Sequence, residues 1–215
     1  MSLRLLPRLD VMPPDRPEGG GADHPMRKVT REVAFEGGWS PERARKVAEL
    51  FDGLAPEWHT RMKDERWEPL RDALARGGVP AQGLCIELGA GTGHASRELA
   101  RRYPRLVAVD LSREMLRQRP AGVGWPVRAD AARLPFRDGA AEVLVLANML
   151  LFPAETVRVL APGGALVWVN SLGDRTPIHL SAEDVARALP GFDGIASEAG
   201  WGTWGVFRKG TDLRV

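Results

Sequence analysis

A single cysteine, Cys85, stands among 215 residues, so no internal disulfide can form and thiol-pair redox chemistry is excluded. It lies in the apolar run Leu84-Cys85-Ile86, where a small buried hydrophobe belongs. No stretch approaches the roughly 18 consecutive apolar residues of a membrane span. The first residues also lack the basic-then-apolar layout of a secretory signal, and a cytoplasmic protein with no membrane partner is the expectation. Charge of one sign is scarce too: 30 Lys and Arg against 28 Asp and Glu leave a net charge of +2. The groups Arg101 and Arg102, and Arg113, Arg117 and Arg119, carry no interleaved aromatics. They read as solvated helix surface, so nucleic acid is not an expected partner. There is no H-E-x-x-H, paired C-x-x-C, G-x-S-x-G or Walker loop, so neither a metal site nor a nucleophilic triad is expected.

What is present is the composition of a globular chain, 44% hydrophobic and 27% charged, of a length suited to one α/β domain with a small appendage. Residues 1–36 hold Pro7, Pro13, Pro14, Pro17, Pro25 and the run Gly19-Gly20-Gly21. With no sustained apolar period, they read as a flexible or loosely docked arm. Residues 37–80 read as a helical cap. Ser40 caps a helix that opens on Pro41, with Ala44, Val47, Ala48 and Phe51 on one side. A second helical stretch ends at Gly77-Gly78, with Trp67, Leu70 and Leu74 buried and a break or restart at Pro69.

From residue 81 to 215 short apolar runs alternate with amphipathic segments, the mark of β-α-β units around a mostly parallel sheet. Strands are expected at 84–88, 106–110, 126–128, 143–147, 165–170, 194–198 and 203–208, with helices over 94–102, 112–118, 153–160 and 181–189. The last two strands are joined within Ala199 to Trp201 with no helix between them, so they must pair as an antiparallel hairpin.

The first of these strands runs into Gly89-Ala90-Gly91-Thr92-Gly93 and then a helix. Glycines at that crossing permit a tight turn and close approach of a nucleotide-like ligand to the backbone. The dinucleotide pattern G-x-G-x-x-G fails in both registers, because His94 or Ser96 holds the third glycine's place. Seventeen residues after Gly93, Asp110 ends the second strand, where a carboxylate can accept from ribose hydroxyls. Its bland reading is a cap near the helix at Ser112.

The string Glu87-x-Gly89-x-Gly91-x-Gly93 resembles the first motif of class I S-adenosylmethionine-dependent methyltransferases. So does Arg128-Ala129-Asp130-Ala131, which is similar to the family segment whose Asp accepts from the adenine amino group. Arg158-Val159-Leu160-Ala161-Pro162-Gly163-Gly164 matches the family's R-V-L-x-P-G-G turn. Upstream, Phe51-Asp52-Gly53-Leu54-Ala55-Pro56-Glu57-Trp58-His59 resembles the F-D-x-x-A-x-x-Y-D stretch of the quinone and natural-product branch, with His59 replacing the acid.

The resemblance implies a Rossmann-like fold. It has seven strands in the order 3-2-1-4-5-7-6 counted from the strand at 84–88, a reversed terminal hairpin and helices on both faces. It implies S-adenosylmethionine as cofactor, S-adenosylhomocysteine as product and a small-molecule acceptor with an O, N or C nucleophile. The cofactor would lie against Glu87, Gly89, Ala90, Gly91, Thr92, Gly93, His94, Asp110, Leu111, Asp130, Ala131 and Ala147. Asn148, after the fourth core strand, stands where the family faces substrate. His59 is the best placed imidazole for a general base, ahead of His94 and His179. Trp39, Trp58 and Trp67 concentrate in the cap, as packing groups or as walls for a planar acceptor. The competing readings are a non-catalytic subunit that binds the cofactor or a nucleotide, and a nicotinamide dehydrogenase.

Overall fold

A computed structural model describes residues 2–9, 20–21, 23–61 and 63–211. Its strands are β1 (Leu3–Leu5), β2 (Cys85–Leu88), β3 (Leu106–Asp110), β4 (Trp125–Arg128), β5 (Ala141–Ala147), β6 (Leu160–Asn170), β7 (Phe192–Ala199) and β8 (Gly202–Lys209). They form one sheet in the order β1-β7-β8-β6-β5-β2-β3-β4. All neighbours are parallel except at β8, which runs antiparallel to both β6 and β7. Seven strands therefore stand in the order the resemblance implies, hairpin included, and the count is corrected to eight by β1 at the edge.

β1 escapes a reading of periodicity because three residues with Leu5 65% exposed carry no burial pattern. Its backbone holds it instead: Gly194 N–H donates to Ser2 O at 2.7 Å and Leu6 N–H to Ala196 O at 2.8 Å. Gly194 leaves room for the strand, since a Cβ there would sit 2.8 Å from Leu3 Cδ1 and 3.0 Å from Phe207 Cε1.

The helices are α1 (Met26–Phe35), α2 (Pro41–Leu54), α3 (Glu68–Arg76), α4 (His94–Ala100), α5 (Arg113–Arg117), α6 (Pro153–Val159) and α7 (Ala182–Ala188). α1 lies within the stretch expected to hold no apolar period. Met26, Val29, Thr30 and Val33 do follow the spacing i, i+3, i+4, i+7, and they bury Thr30 and Val33, a pattern of one polar and three apolar residues. Pro13, Pro14, Pro17 and Gly19 lie outside the described residues. α2 opens as expected, with Arg43 N–H donating to Ser40 Oγ at 3.2 Å and Pro41 in the first turn. α3 starts at Glu68, with Pro69 in its first turn, directly after the 3-10 segment Asp64–Trp67.

Strand periodicity sorts the core into two layers. Val143, Val145, Val167 and Val169 face Leu70 and Leu74 of α3 and Leu99 of α4. Leu144, Leu146, Leu166 and Trp168 face Val33 of α1, Val159 of α6 and Val185 of α7. Both faces of the central strands are thus covered, which explains their unbroken apolar runs. Buried Asp72 ties α3 to the sheet, accepting from Trp204 Nε1 at 2.7 Å and Arg76 Nε at 2.6 Å.

The chain steps outward from β2 to β3 and β4, then returns to β5 on the other side of β2. Open parallel sheets bind ligands where this reversal opens a crevice at the carboxyl ends of the strands. The register aligns Leu88 with Val109 and Leu146, and Asp110 with Arg128. The segments after β2, β3, β4 and β5 consequently share that edge.

Candidate functional site

β2 delivers the chain into the glycine loop, where Gly89, Gly91 and Gly93 have φ of +71°, +51° and +87°. L side chains rarely adopt that region, so the alternation of glycines is a backbone requirement rather than a preference for small residues. The loop is held from three directions. Ala90 N–H donates to Val109 O at 3.0 Å, and Gly91 N–H donates to Asp110 Oδ2 at 2.7 Å. Arg119 reaches from beyond α5 to donate to Ala90 O at 3.4 Å, Ser96 Oγ at 2.9 Å and Val123 O at 2.9 Å.

Two carboxylates end β2 and β3. Glu87 is 2% exposed and accepts from the Ser96 hydroxyl. Burial pushes its pKa up to about 7, against the opposing pull of that hydrogen bond and of the Arg119 charge. The structure places Glu87 beneath the loop, where it braces the turn into α4. Asp110 is raised by burial as well, although Ser112 N–H at 2.8 Å and Gly91 N–H favour its ionised form. Both of its oxygens retain lone pairs beyond these bonds.

After β4, Asp130 Oδ1 accepts from Ala132 N–H at 2.9 Å. The indole N–H of Trp39 meets the same carboxylate, 3.1 Å from Oδ1 and 2.9 Å from Oδ2. Trp39 in turn packs edge-to-face on Phe152, with centroids 5.3 Å apart. Ala131 is buried, while Leu111 and Ala147 are half-buried at the ends of β3 and β5.

After β5, Asn148 has φ +53°, the one non-glycine residue with positive φ among those described. Its Oδ1 accepts from Ser171 N–H at 2.8 Å and its Nδ2 donates to Ser171 Oγ at 3.0 Å. The amide therefore stitches the end of β5 to the end of β6. Met149 follows and lies on the loop, its Sδ 2.7 Å from where a Cβ on Gly89 would stand.

α2 and the 3-10 segment Ala55–Arg61 reach the same edge. Trp58 brings Nε1 to 3.7 Å from a Cβ position at Gly91 and stacks edge-on with Phe51 at 5.5 Å. Asp52 of α2 accepts from Ser112 Oγ at 2.5 Å and Glu114 N–H at 3.0 Å. His59 is exposed on the 3-10 segment Ala55–Arg61, in the neighbourhood of His94. Burial, then Arg97 and His59, hold the His94 imidazole below its usual pKa. His179 is brought elsewhere: it lines a groove of about 420 Å³ with Trp168, Asn170 and Thr203. Thr92 Oγ1, at the middle of the glycine loop, is buried without a hydrogen-bond partner.

The glycines, Asp110, Asp130, Asn148 and the cap tryptophans Trp39 and Trp58 thus gather at one edge. Sequence reading missed four links: Trp39 on Asp130, Met149 on Gly89, Asp52 capping α5, and Arg119 bracing the loop. Asp52 had a signal, in the stretch Phe51 to His59. The others depend on contacts across 29 to 91 residues, which local pattern does not carry.

The family model described as a methyltransferase domain matches residues 86–168. The chain is 32% identical over 165 residues to the demethylmenaquinone methyltransferase of Mycobacterium marinum, covering 68% of this chain and 69% of that protein. It is 34% identical over 145 residues to a ubiquinone/menaquinone biosynthesis C-methyltransferase of Desulfotalea psychrophila, covering 58% of each. A trans-aconitate 2-methyltransferase of Paracidovorax citrulli is 31% identical over 67% of this chain and 60% of its own length. The chain thus spans about three-fifths of the length of these last two relatives. Among solved structures, the DhpI–SAH complex has a TM-score of 0.64 at 20% identity, over 78% of this chain and 97% of that one. A SAM-dependent methyltransferase of Thermotoga maritima reaches 0.60 at 17% identity, over 75% and 99%. These two likenesses concern the fold.

Proposed function

Because the chain belongs to the class I S-adenosylmethionine-dependent methyltransferases, we propose that it transfers a methyl group from S-adenosylmethionine to a small-molecule acceptor. The observation that carries the reading is the Gly89–Gly93 turn, held in left-handed conformations at the sheet's reversal and tied by Gly91 N–H to Asp110.

The residues present fit the cofactor. Gly89, Gly91 and Gly93 present bare backbone at positive φ, and a Cβ position at Gly91 has nothing nearer than Trp58 Nε1 at 3.7 Å, so a ligand can come close to the main chain there. The unpartnered Thr92 hydroxyl is a polar group available there. In this reading Gly89 to Gly93 hold the amino-acid end, Asp110 accepts from the ribose hydroxyls, and Asp130 with the Ala131 amide faces the base. When bound, S-adenosylmethionine supplies an electrophilic methyl group on a sulfonium. The chain's own work is then alignment and the exclusion of water. Trp58 and Met149 cover the loop. Asn148 has both ends of its amide engaged by Ser171, so it sets the geometry of the β5 end rather than moving a proton. His59, exposed beside His94, is the group we assign to take a proton from an acceptor that must lose one.

We read α2 and the 3-10 segment Ala55–Arg61 as the cover of this cleft, residues 81–215 as its core and residues 1–36 as an arm that contributes β1 and α1; α3, expected in the cap of residues 37–80, packs on the face of the sheet instead. The named substrates of the relatives, a demethylmenaquinone and trans-aconitate among them, support a small organic acceptor. We propose a cytoplasmic setting, in keeping with one buried reduced cysteine. Among the described residues no helix is long and apolar enough to cross a membrane.

Calorimetric titration with S-adenosylmethionine, S-adenosylhomocysteine and NAD, followed by labelled-methyl transfer to quinols, phenols, carboxylates and amines, tests the proposal. Binding of the first two and label transfer to one class is the expected result. Cofactor binding with no acceptor labelled favours the non-catalytic subunit, and binding of NAD alone overturns the reading.

A further inference from the structure

Asp130 is the carboxylate read above as the acceptor for the adenine amino group, and another donor already occupies it. The Trp39 indole N–H faces the carboxylate head-on, 2.9 Å and 3.1 Å from its two oxygens, and the Ala132 amide takes Oδ1 from the chain side. An indole is an aromatic bicycle with an N–H at its edge, the same hydrogen-bonding outline that adenine presents through its amino group. The ring also holds an aromatic neighbour, Phe152, in edge-to-face contact. Trp39 thus satisfies both the polar and the aromatic demands of a base site.

The turn carrying Trp39 is open on one side and tied on the other. Gly37 has φ +68° with no atom within 4 Å of a would-be Cβ, so nothing packs against the turn on that side. On the same side a groove of about 530 Å³ lies between the end of α1 and the start of α2, lined by Glu36, Gly37, Trp39 and Lys46 among others. Arg43 spans the turn, donating to Gly38 O and to Glu32 Oε2 at 3.0 Å. These two bonds latch the turn in its inward position through residues that lie outside the cleft.

We infer that Trp39 is an internal stand-in for the cofactor's base: it closes the base side of the cleft when no nucleoside is bound and withdraws toward the groove when one enters. The inference rests on the proposed function, since it takes Asp130 as the adenine acceptor. A closed state that must open first lowers the apparent affinity by the fraction of molecules that are open. Removing the N–H while keeping a ring therefore tightens binding.

The test compares wild type with W39F by titration with S-adenosylhomocysteine, with thermal melting to confirm folding. W39F is expected to bind about tenfold more tightly, the scale of one hydrogen bond to a charged group. Unchanged or weaker binding overturns the inference, and weaker binding would make Trp39 a cover for the bound base. Should W39F fold poorly, the wild-type indole ¹⁵N–¹H resonance of Trp39, assigned by its through-space contacts to Phe152, decides. A large upfield proton shift on saturation with S-adenosylhomocysteine supports withdrawal from Asp130, and an unmoved signal overturns it. Wild-type protein that binds neither form of the cofactor overturns the proposed function along with the gate. Tight wild-type binding with no gain in W39F removes the gate alone.

Discussion

Gly91 N–H donates to Oδ2 of Asp110 at 2.7 Å, so one carboxylate at the end of β3 fixes the turn that leaves β2. The Oδ1 of the same group accepts from Ser112 N–H at 2.8 Å and steadies the entry to α5. A residue read from sequence as a ribose acceptor, or as a cap near Ser112, therefore also organises the glycine loop from the neighbouring strand. If Asp110 holds the ribose as proposed, ligand binding and loop order are coupled through its two oxygens.

Asp110→Ala is expected to weaken S-adenosylhomocysteine binding by an order of magnitude or more, as hydrogen bonds to a charged group contribute about 1.5–3 kcal/mol each. Asp110→Asn keeps one acceptor but turns an amide donor toward Gly91 N–H or Ser112 N–H, and should lose nearly as much. Calorimetry on both variants checks this. An affinity equal to wild type in Asp110→Ala would show that the ribose is held elsewhere.

Glu87 should make stability fall as pH rises. Its folded pKa, about 7, lies above the ordinary 4.5 because burial disfavours the charged form. The folded state holds the proton more tightly, so this group's contribution is fully present below pH 4.5 and is lost as pH rises through about 7. The loss is of order 3 kcal/mol, from about 1.4 kcal/mol per pKa unit. Urea unfolding of Glu87→Gln between pH 4.5 and 8 should show a flatter profile than wild type, with greater stability at the upper end. Parallel profiles for the two proteins would mean that Glu87 is ionised without cost in the folded state.

In the proposed function Asn148 positions the end of β5, and its substitutions should then separate turnover from cofactor binding. Asn tolerates the left-handed region better than most L residues, and here its amide also bonds Ser171 twice. Asn148→Ala loses both bonds and meets the φ penalty; Asn148→Gly loses the bonds but not the conformation. Both should lower kcat with little change in S-adenosylhomocysteine affinity, and the alanine variant should be the less stable by about 1 kcal/mol. Equal stability of the two would show that φ +53° is not a constraint on this position.

The legible parts of this protein are those in which one residue's environment is set by its near neighbours. The valines and leucines of β5 and β6 announce a sheet buried on both faces. The span Ala199 to Trp201 dictates the hairpin, and the glycines of the loop announce left-handed backbone. β1 was not legible because its attachment is made by backbone atoms to β7, about 190 residues away, and backbone bonding leaves no mark on side-chain pattern. Glu87 was legible as an acid of a motif but not as a buried group bonded to Ser96 and faced by the Arg119 charge, because those partners lie 9 residues or more along the chain. Trp39 was visible as one of a cluster of cap tryptophans. Its partner, Asp130, is fixed only when α2 folds across the ends of the strands.

Gly89→Ala separates two ways in which the loop resists a side chain. At φ +71° an L residue carries a penalty of about 1–2 kcal/mol. The new Cβ would also stand 2.7 Å from Met149 Sδ, 3.2 Å from its Cγ and 3.4 Å from its Cβ. The thioether can swing aside, whereas the penalty at φ cannot be relieved without unwinding the turn. Gly89→Ala should therefore reduce S-adenosylhomocysteine binding about tenfold or more, and adding Met149→Ala should restore only part of it, leaving a deficit of the size of the backbone penalty. Full recovery in the double variant would place the whole effect in the crowding with Met149. No recovery would place it entirely in the backbone, and Met149 would then be covering the loop without pressing on it.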